Sequence, residues 1–296
     1  MAKKSSCASC SSSGKKEKSA SMALQDQLIS STLAKIKYKI FVMSGKGGVG
    51  KSSIATNLAA ALADQGYKVG LLDVDIHGPS VPHLLGIKGL LDVDRGKIIK
   101  PKKFSDNLSV VSMESLLQDP DQAVLWRGPM KTSAIRQFVA DVDWGELDFL
   151  VVDSPPGTGD EPMTVLKTIP DAMCIVVTTP QEVSLADVRK AINFLQYAKA
   201  NILGVVENMS GLVCPHCSKE INLFKKGGGR ELAQKYGLEF LGAIPLDPAT
   251  VLAADMGKPV VLLDEDTPAK KAFLELAQKV NRMVRESFET VSSTHT

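Results

Sequence analysis

Residues 45–52 read Gly45-Lys46-Gly47-Gly48-Val49-Gly50-Lys51-Ser52, the spacing G-x-x-x-x-G-K-S that cradles nucleotide phosphates. Glycines let backbone N–H groups turn inward and approach phosphate oxygens without Cβ clashes. A helix beginning at the end of the loop adds partial positive charge. In this arrangement Lys51 reaches the β- and γ-phosphates and the Ser52 hydroxyl holds Mg²⁺, while Val49 and Ser53 complete the candidate nucleotide-binding stretch. The same residues also spell G-x-G-x-x-G, with Asp73 in the place of a ribose-binding acid. The Lys51-Ser52 pair argues against that dinucleotide reading, which has no use for it.

Three carboxylates follow at strand ends. Asp153 comes after the apolar run 149–152 and is the acid that supports Mg²⁺ beside a phosphate loop. Asp73 and Asp75 close another apolar run and share a side if the strand persists. One can serve Mg²⁺, a role given to Asp73. The other can position or activate the attacking water, a role given to Asp75. The bland alternative is a solvated turn before Gly78-Pro79. No Asn-Lys-x-Asp string for guanine occurs, so ATP is the expected nucleotide.

The chain has 5 cysteines, and Cys7-x-x-Cys10 and Cys214-x-x-Cys217 account for four of them. Without a secretion signal, such pairs suggest metal or redox chemistry rather than structural disulfides. A tetrahedral zinc or a cubane cluster needs four thiolates, and a two-fold dimer supplies two more by symmetry. Cluster, zinc, a site completed by Cys7 and Cys10, and a redox dithiol all remain open on spacing alone. Cys174 lies in an apolar run and reads as inert core, and His216 as solvent-facing.

These residues need a scaffold that gathers them. Apolar runs at 38–43, 69–72, 108–112, 147–152, 172–178, 202–206 and 240–244 read as strands. They alternate with helical patterns, chiefly at 131–141, 161–168, 184–199 and 228–236. Residues 81–107 read as irregular, and Cys214 and Cys217 as lying in a loop. The pattern predicts an α/β fold of three layers, a mostly parallel sheet with helices on both faces. Such folds place ligands beyond the carboxyl ends of the strands, where the loop at 45–52, Asp73, Asp153 and the residues after 206 converge. Residues 1–23 read as a disordered Ser/Lys-rich tail carrying one C-x-x-C, and 24–296 as one ATPase domain, with a short helix over 24–36. The last helix carries Phe273, Leu276, Ala277, Val280 and Val284 on one face. That stripe reads as packing on the sheet rather than a membrane-targeting surface.

A chain of 296 residues with 44% hydrophobic and 23% charged residues is an ordinary globular protein. Its net charge of +2 gives no argument for a nucleic-acid surface. No apolar run is long enough to span a membrane, and the first arginine is Arg95, so a cytoplasmic location is expected.

Taken together, several strings resemble one family. Lys46 before Gly47-Gly48 is the variant phosphate loop of MinD/ParA-like ATPases. Asp73-Val-Asp75-Ile-His-Gly78-Pro79-Ser80, Trp126-Arg127-Gly128-Pro129-Met130, Asp153-Ser-Pro155-Pro156-Gly157-Thr158-Gly159-Asp160, Glu207-Asn208-Met209-Ser210-Gly211 and Cys214-Pro215-His216-Cys217 are similar to those of the Mrp-type (ApbC-like) iron–sulfur cluster carrier ATPases. The resemblance covers residue 36 onward. It implies a P-loop ATPase acting as a homodimer, with Lys46 reaching the partner's nucleotide and Asn208 at the adenine. It also implies a [4Fe-4S] cluster bridged by Cys214 and Cys217 of both subunits and passed to apo-proteins. The runner-up is a positioning or partition ATPase switch.

Overall fold

The computed structural model describes residues 13–75, 78, 80–94, 98–116, 128–214, 217, 219–221 and 223–293. Cys7, Cys10, His216, Trp126 and Arg127 lie outside them.

The chain runs α1 (Ser13–Ala34), β1 (Ile36–Ser44), α2 (Lys51–Asp64), β2 (Val69–Asp73) and α3 (Val81–Leu84). Three two-residue strands follow, β3 (Asp92–Val93), β4 (Ile99–Lys100) and β5 (Lys102–Lys103). Then come β6 (Leu108–Ser112), α4 (Gly128–Asp141), β7 (Leu147–Asp153), α5 (Asp160–Thr168), β8 (Met173–Thr178) and α6 (Glu182–Tyr197). The rest is β9 (Asn201–Val213), β10 (Glu220–Ile221), α7 (Gly228–Lys235), β11 (Phe240–Leu246), α8 (Pro248–Asp255) and α9 (Pro268–Ser293).

The main sheet has the order β10-β9-β8-β1-β7-β2-β6-β5, with β11 on the other side of β9. All pairs are parallel except β10 with β9 and β5 with β6. The central strands are buried on both faces, which is why they read as unbroken apolar runs. Alternation divides them between two cores. Ile40, Val42, Phe149 and Val151 join α2 and α9 on one face. Phe41, Met43, Leu150 and Val152 join α4, α5 and α6 on the other. This is the expected three-layer P-loop fold. Phe273, Leu276, Ala277, Val280 and Val284 of α9 are all buried against the sheet, each larger side chain stabilising the packing by on the order of 2 kcal/mol.

Three readings change. First, α1 starts at Ser13, well before 24. Serine and lysine do not exclude helix, and Ile29 and Leu33 bury its C-terminal half while Arg136 of α4 bonds Gln25 and Asp26. Second, the segment 81–107 contains α3 and three short strands. Third, β9 does not stop at residue 206. It continues to Val213 because β11 and β10 supply hydrogen-bonding neighbours to its distal half, so a strand delivers Cys214 directly.

Helices α3 and α8 approach through their following turns. A Cβ on Gly257 would lie 2.4 Å from the Gly86 Cα, and both glycines have positive φ. Only two bare backbones can cross this closely.

Candidate functional site

The phosphate loop springs from the carboxyl end of β1, which lies between β7 and β8. Ser44 donates its hydroxyl to the Lys46 carbonyl at 2.8 Å and tightens the exit from the strand. Gly48 and Gly50 adopt φ of 78° and 80°, conformations that non-glycine residues avoid. Gly45 packs on α6, where a Cβ would sit 2.3 Å from the Asp187 carbonyl oxygen. At Gly50 a Cβ would meet the Asn208 Nδ2 at 2.1 Å, whereas Gly47 faces open space. Helix α2 then starts at Lys51 with no side-chain cap and no acid in its first turn. Its N–H groups are therefore directed toward the loop's concave side. Lys46, Gly47, Gly48, Gly50, Lys51, Ser52 and Ser53 line an open cleft of about 500 Å³, with Asp75, Ser80, Leu84 and Pro156 on its other wall.

Lys51 is buried, and its Nζ lies 2.6 Å from Asp153 Oδ1 and 3.9 Å from Asp75 Oδ2. Ser52 Oγ is 3.3 Å away from the same ammonium. Asp153 has no exposure, and its Oδ2 has no hydrogen-bond partner among the described residues. Burial pushes the Asp153 carboxyl up; the adjacent Lys51 charge pulls it back. A buried carboxylate oxygen without a donor, next to a serine hydroxyl at the start of a helix, fits a hard divalent cation such as Mg²⁺.

Asp73 lies beside Asp153 in strand register. Its Oδ1 accepts the Asp75 N–H and its Oδ2 accepts the Ser112 hydroxyl, each at 3.0 Å. Burial, and then the Asp153 charge, hold the Asp73 carboxyl well above the usual carboxylate range. Asp75 follows β2, buried, with Oδ1 accepting the Gly78 N–H at 3.2 Å. The two acids thus have different surroundings: Asp73 is tied into the protein at both oxygens, and Asp75 faces the cleft beside Lys51. Lys46 is partly exposed and forms no ion pair among the described residues.

Asn208 arrives from β9. Its Nδ2 donates to the Val49 carbonyl at 2.9 Å, so it buttresses the phosphate loop from beneath. Six residues further along the same strand is Cys214, half-buried, with its N–H bonded to Lys219 O at 2.9 Å. Cys217 is exposed at the tip of this β9–β10 hairpin, and neither cysteine forms a disulfide. Among the described residues no group of three or more His, Cys, Asp or Glu side chains is placed to hold a metal ion. Within those residues the hairpin therefore offers two thiol ligands and no more. Cys174, by contrast, is wholly buried, and burial pushes its thiol up to about 12.

Two participants escaped the sequence reading. Ser112 ends the apolar strand β6 and Glu207 follows the apolar run 202–206 inside β9, each a polar residue closing an apolar run, the same signal that exposed Asp73 and Asp153. Glu207 is fully buried and accepts N–H groups from Gly227 at 2.9 Å and Gly229 at 2.6 Å, with the Ser210 hydroxyl as a third donor.

The chain is similar to known proteins over most of its length. The ParA family, in the form described as NUBPL iron-transfer P-loop NTPase, matches residues 35–281. An iron-sulfur cluster carrier protein of Pyrococcus horikoshii is 48% identical over 278 residues, covering 88% of this chain and 91% of that protein. The human cytosolic Fe-S cluster assembly factor NUBP2 is 47% identical over 253 residues, covering 84% of this chain and 93% of that protein. A solved nucleotide-binding protein of Archaeoglobus fulgidus in complex with ADP aligns with a TM-score of 0.70 at 39% identity, covering 82% of this chain and 98% of that one.

Proposed function

The chain belongs to the NUBPL-type iron-transfer P-loop NTPases of the ParA family, and from that premise we propose that it is an ATP-hydrolysing carrier of a [4Fe-4S] cluster. Two copies hold the cluster between their Cys214 and Cys217 pairs and pass it to apo iron–sulfur proteins. The observation that carries this reading is the thiol pair itself, beside which no third ligand stands among the described residues. The β9–β10 hairpin presents two thiols at the end of a rigid strand, and a four-ligand site is completed when a two-fold axis brings up a second hairpin.

The nucleotide chemistry follows from the loop. Backbone N–H groups of residues 46–52 bind the phosphates, and Lys51 exchanges its Asp153 contact for phosphate oxygens. Ser52 and Asp153 would hold Mg²⁺, which neutralises phosphate charge when bound. Asp73, with both oxygens already accepting, orients Asp75 through its N–H, and Asp75 positions the attacking water. Lys46, without an ion pair of its own among the described residues, extends to the partner's nucleotide. Asn208 contributes beside the adenine while bracing Val49.

The alternative, a positioning switch on a membrane, relies on an apolar surface at the C-terminal helix. The apolar stripe of α9 is consumed in the core, and no described helix is long and apolar enough to cross a membrane. Anaerobic reconstitution with iron and sulfide tests the proposal. It is expected to give a brown dimer with one cluster per two chains. Full cluster absorbance in the Cys214→Ser and Cys217→Ser double variant would overturn it.

A further inference from the structure

Glu207 and Asn208 are adjacent residues of β9, and strand alternation sends their side chains to opposite faces. Asn208 reaches the phosphate loop through Val49 O, and its amide fills the space that a Gly50 side chain would need. Glu207 reaches the other way. Its carboxylate gathers Ser210, Gly227 and Gly229, which bracket the two ends of the segment bearing Cys214 and Cys217. Gly229 packs so closely that a Cβ there would lie 3.0 Å from the Glu207 Cβ. One fully buried carboxylate thereby closes the base of the cysteine loop and tethers the N-terminus of α7.

The backbone just beyond this pair is unusual. Met209 has φ 56° and Gly211 has φ 75°, both left-handed inside a strand. A non-glycine residue holds that conformation only where its surroundings impose it. Here the impositions are the Asn208 contact on one side and the Glu207–Ser210 contact on the other. The Val49 carbonyl is thus joined through Asn208 to the strand that leads to Cys214, with only Met209 to Val213 between.

We propose that Glu207 is a positioning residue that, with Asn208, forms the mechanical junction by which nucleotide in the phosphate loop sets the geometry of the Cys214–Cys217 pair. The proposal rests on the nucleotide and thiol roles given above, but its readout needs no cluster. It is the alkylation rate of each cysteine, followed peptide by peptide in the reduced full-length chain, with and without a non-hydrolysable ATP analogue. Buried Cys174 serves as the internal standard.

In the wild-type chain the analogue changes the Cys214 rate about five-fold or more, the lower range of ordinary coupling between sites. Glu207→Gln replaces one acceptor with an amide that faces the Gly229 N–H. It is expected to leave analogue affinity within about two-fold, raise both basal thiol rates, and reduce the nucleotide response to less than half. Ser210→Ala removes a single donor and is expected to give an intermediate response; it carries the test if Glu207→Gln loses its cooperative melt. A wild-type response retained in both variants overturns the junction. So does a wild-type chain that binds the analogue without any change in thiol rate. A chain that binds no analogue at all overturns the phosphate-loop assignment, and this result is separable by direct titration.

Discussion

The phosphate loop and the cysteine hairpin both follow the carboxyl end of a strand of one sheet, β1 and β9, and are built differently. The loop is fixed from four sides: β1 below, α6 against Gly45, Asn208 against Gly50, and the buried Lys51–Asp153 pair above. Among the described residues the hairpin rests on a two-residue ladder with β10 at Leu212 and Val213, on β11 at Leu212, on the Cys214 N–H to Lys219 O bond, on the exposed Lys226–Glu220 ion pair, and on the Glu207 clamp at its base. Phosphate binding requires fixed donors, because misplacing preorganised N–H groups forfeits the interaction. On the role proposed above, a thiol pair that accepts and releases a cluster requires access, and Cys217 is exposed. On that proposal, the more firmly packed region serves a ligand of constant shape, and the more accessible one serves a cargo that changes hands.

The strongest way to break this contrast is Lys51→Ala. Loss of the ammonium leaves Asp153 buried and unpaired and removes the phosphate contact, so nucleotide affinity is expected to fall by at least about a hundredfold, on the order of 3 kcal/mol. Calorimetric titration checks it, and unchanged affinity would remove the loop from the site. Next come two of the left-handed glycines, Gly50 and Gly227. Gly50→Ala meets both an unfavourable φ and the Asn208 amide, and a loss of about 2–3 kcal/mol is expected. Gly227→Ala has the same backbone strain but open space around it, and about 1 kcal/mol is expected. Urea unfolding of the pair separates crowding from strain; equal losses would contradict the difference in packing.

A smaller effect concerns pH. The native Asp73 carboxyl is raised above its ordinary 3.8 by burial and by Asp153. Between that ordinary value and the raised native one, the folded chain holds a proton that the unfolded chain has released, so this group's contribution to stability declines as pH rises through the window. Asp73→Asn, whose amide can donate to Ser112 Oγ while its carbonyl still accepts the Asp75 N–H, is expected to flatten the decline in urea midpoint from pH 4.5 to 7.5. An unaltered slope would show that Asp73 does not carry it. Smallest is the effect of Cys217→Ser on folding, within about 0.5 kcal/mol for an exposed side chain, even though cluster retention is lost. At pH 8, Cys174 should resist alkylation because its thiol, at about 12, stays protonated, while Cys217 reacts.

How much of this could be read beforehand depended on the range of the interaction. Residues 45–52 were legible because loop, strand and helix are contiguous. Asp73 and Asp153 were legible because an acid at the end of an apolar run is a local anomaly. The three-layer fold followed from period alone. Local pattern did not give the full length of β9, because its distal half is strand only by virtue of β10 and β11, which come later in the chain. Nor did it give the division of labour among the acids: Asp73 depends on Ser112, 39 positions away. The N-terminal part of α1 was hidden for a different reason. Its composition lacks an apolar stripe, and the docking of Ile29, Leu33 and Asp26 lies near its far end.

The crossing of Gly86 over Gly257 limits how this chain can be altered by design or descent. A methyl group on Gly257 would force the facing backbone to retreat, and one on Gly86, 3.3 Å from the Gly257 oxygen, would press on it, so the turn after α3 and the turn after α8 constrain each other. A chimera that imports either turn will fit only if that turn keeps a glycine at the crossing.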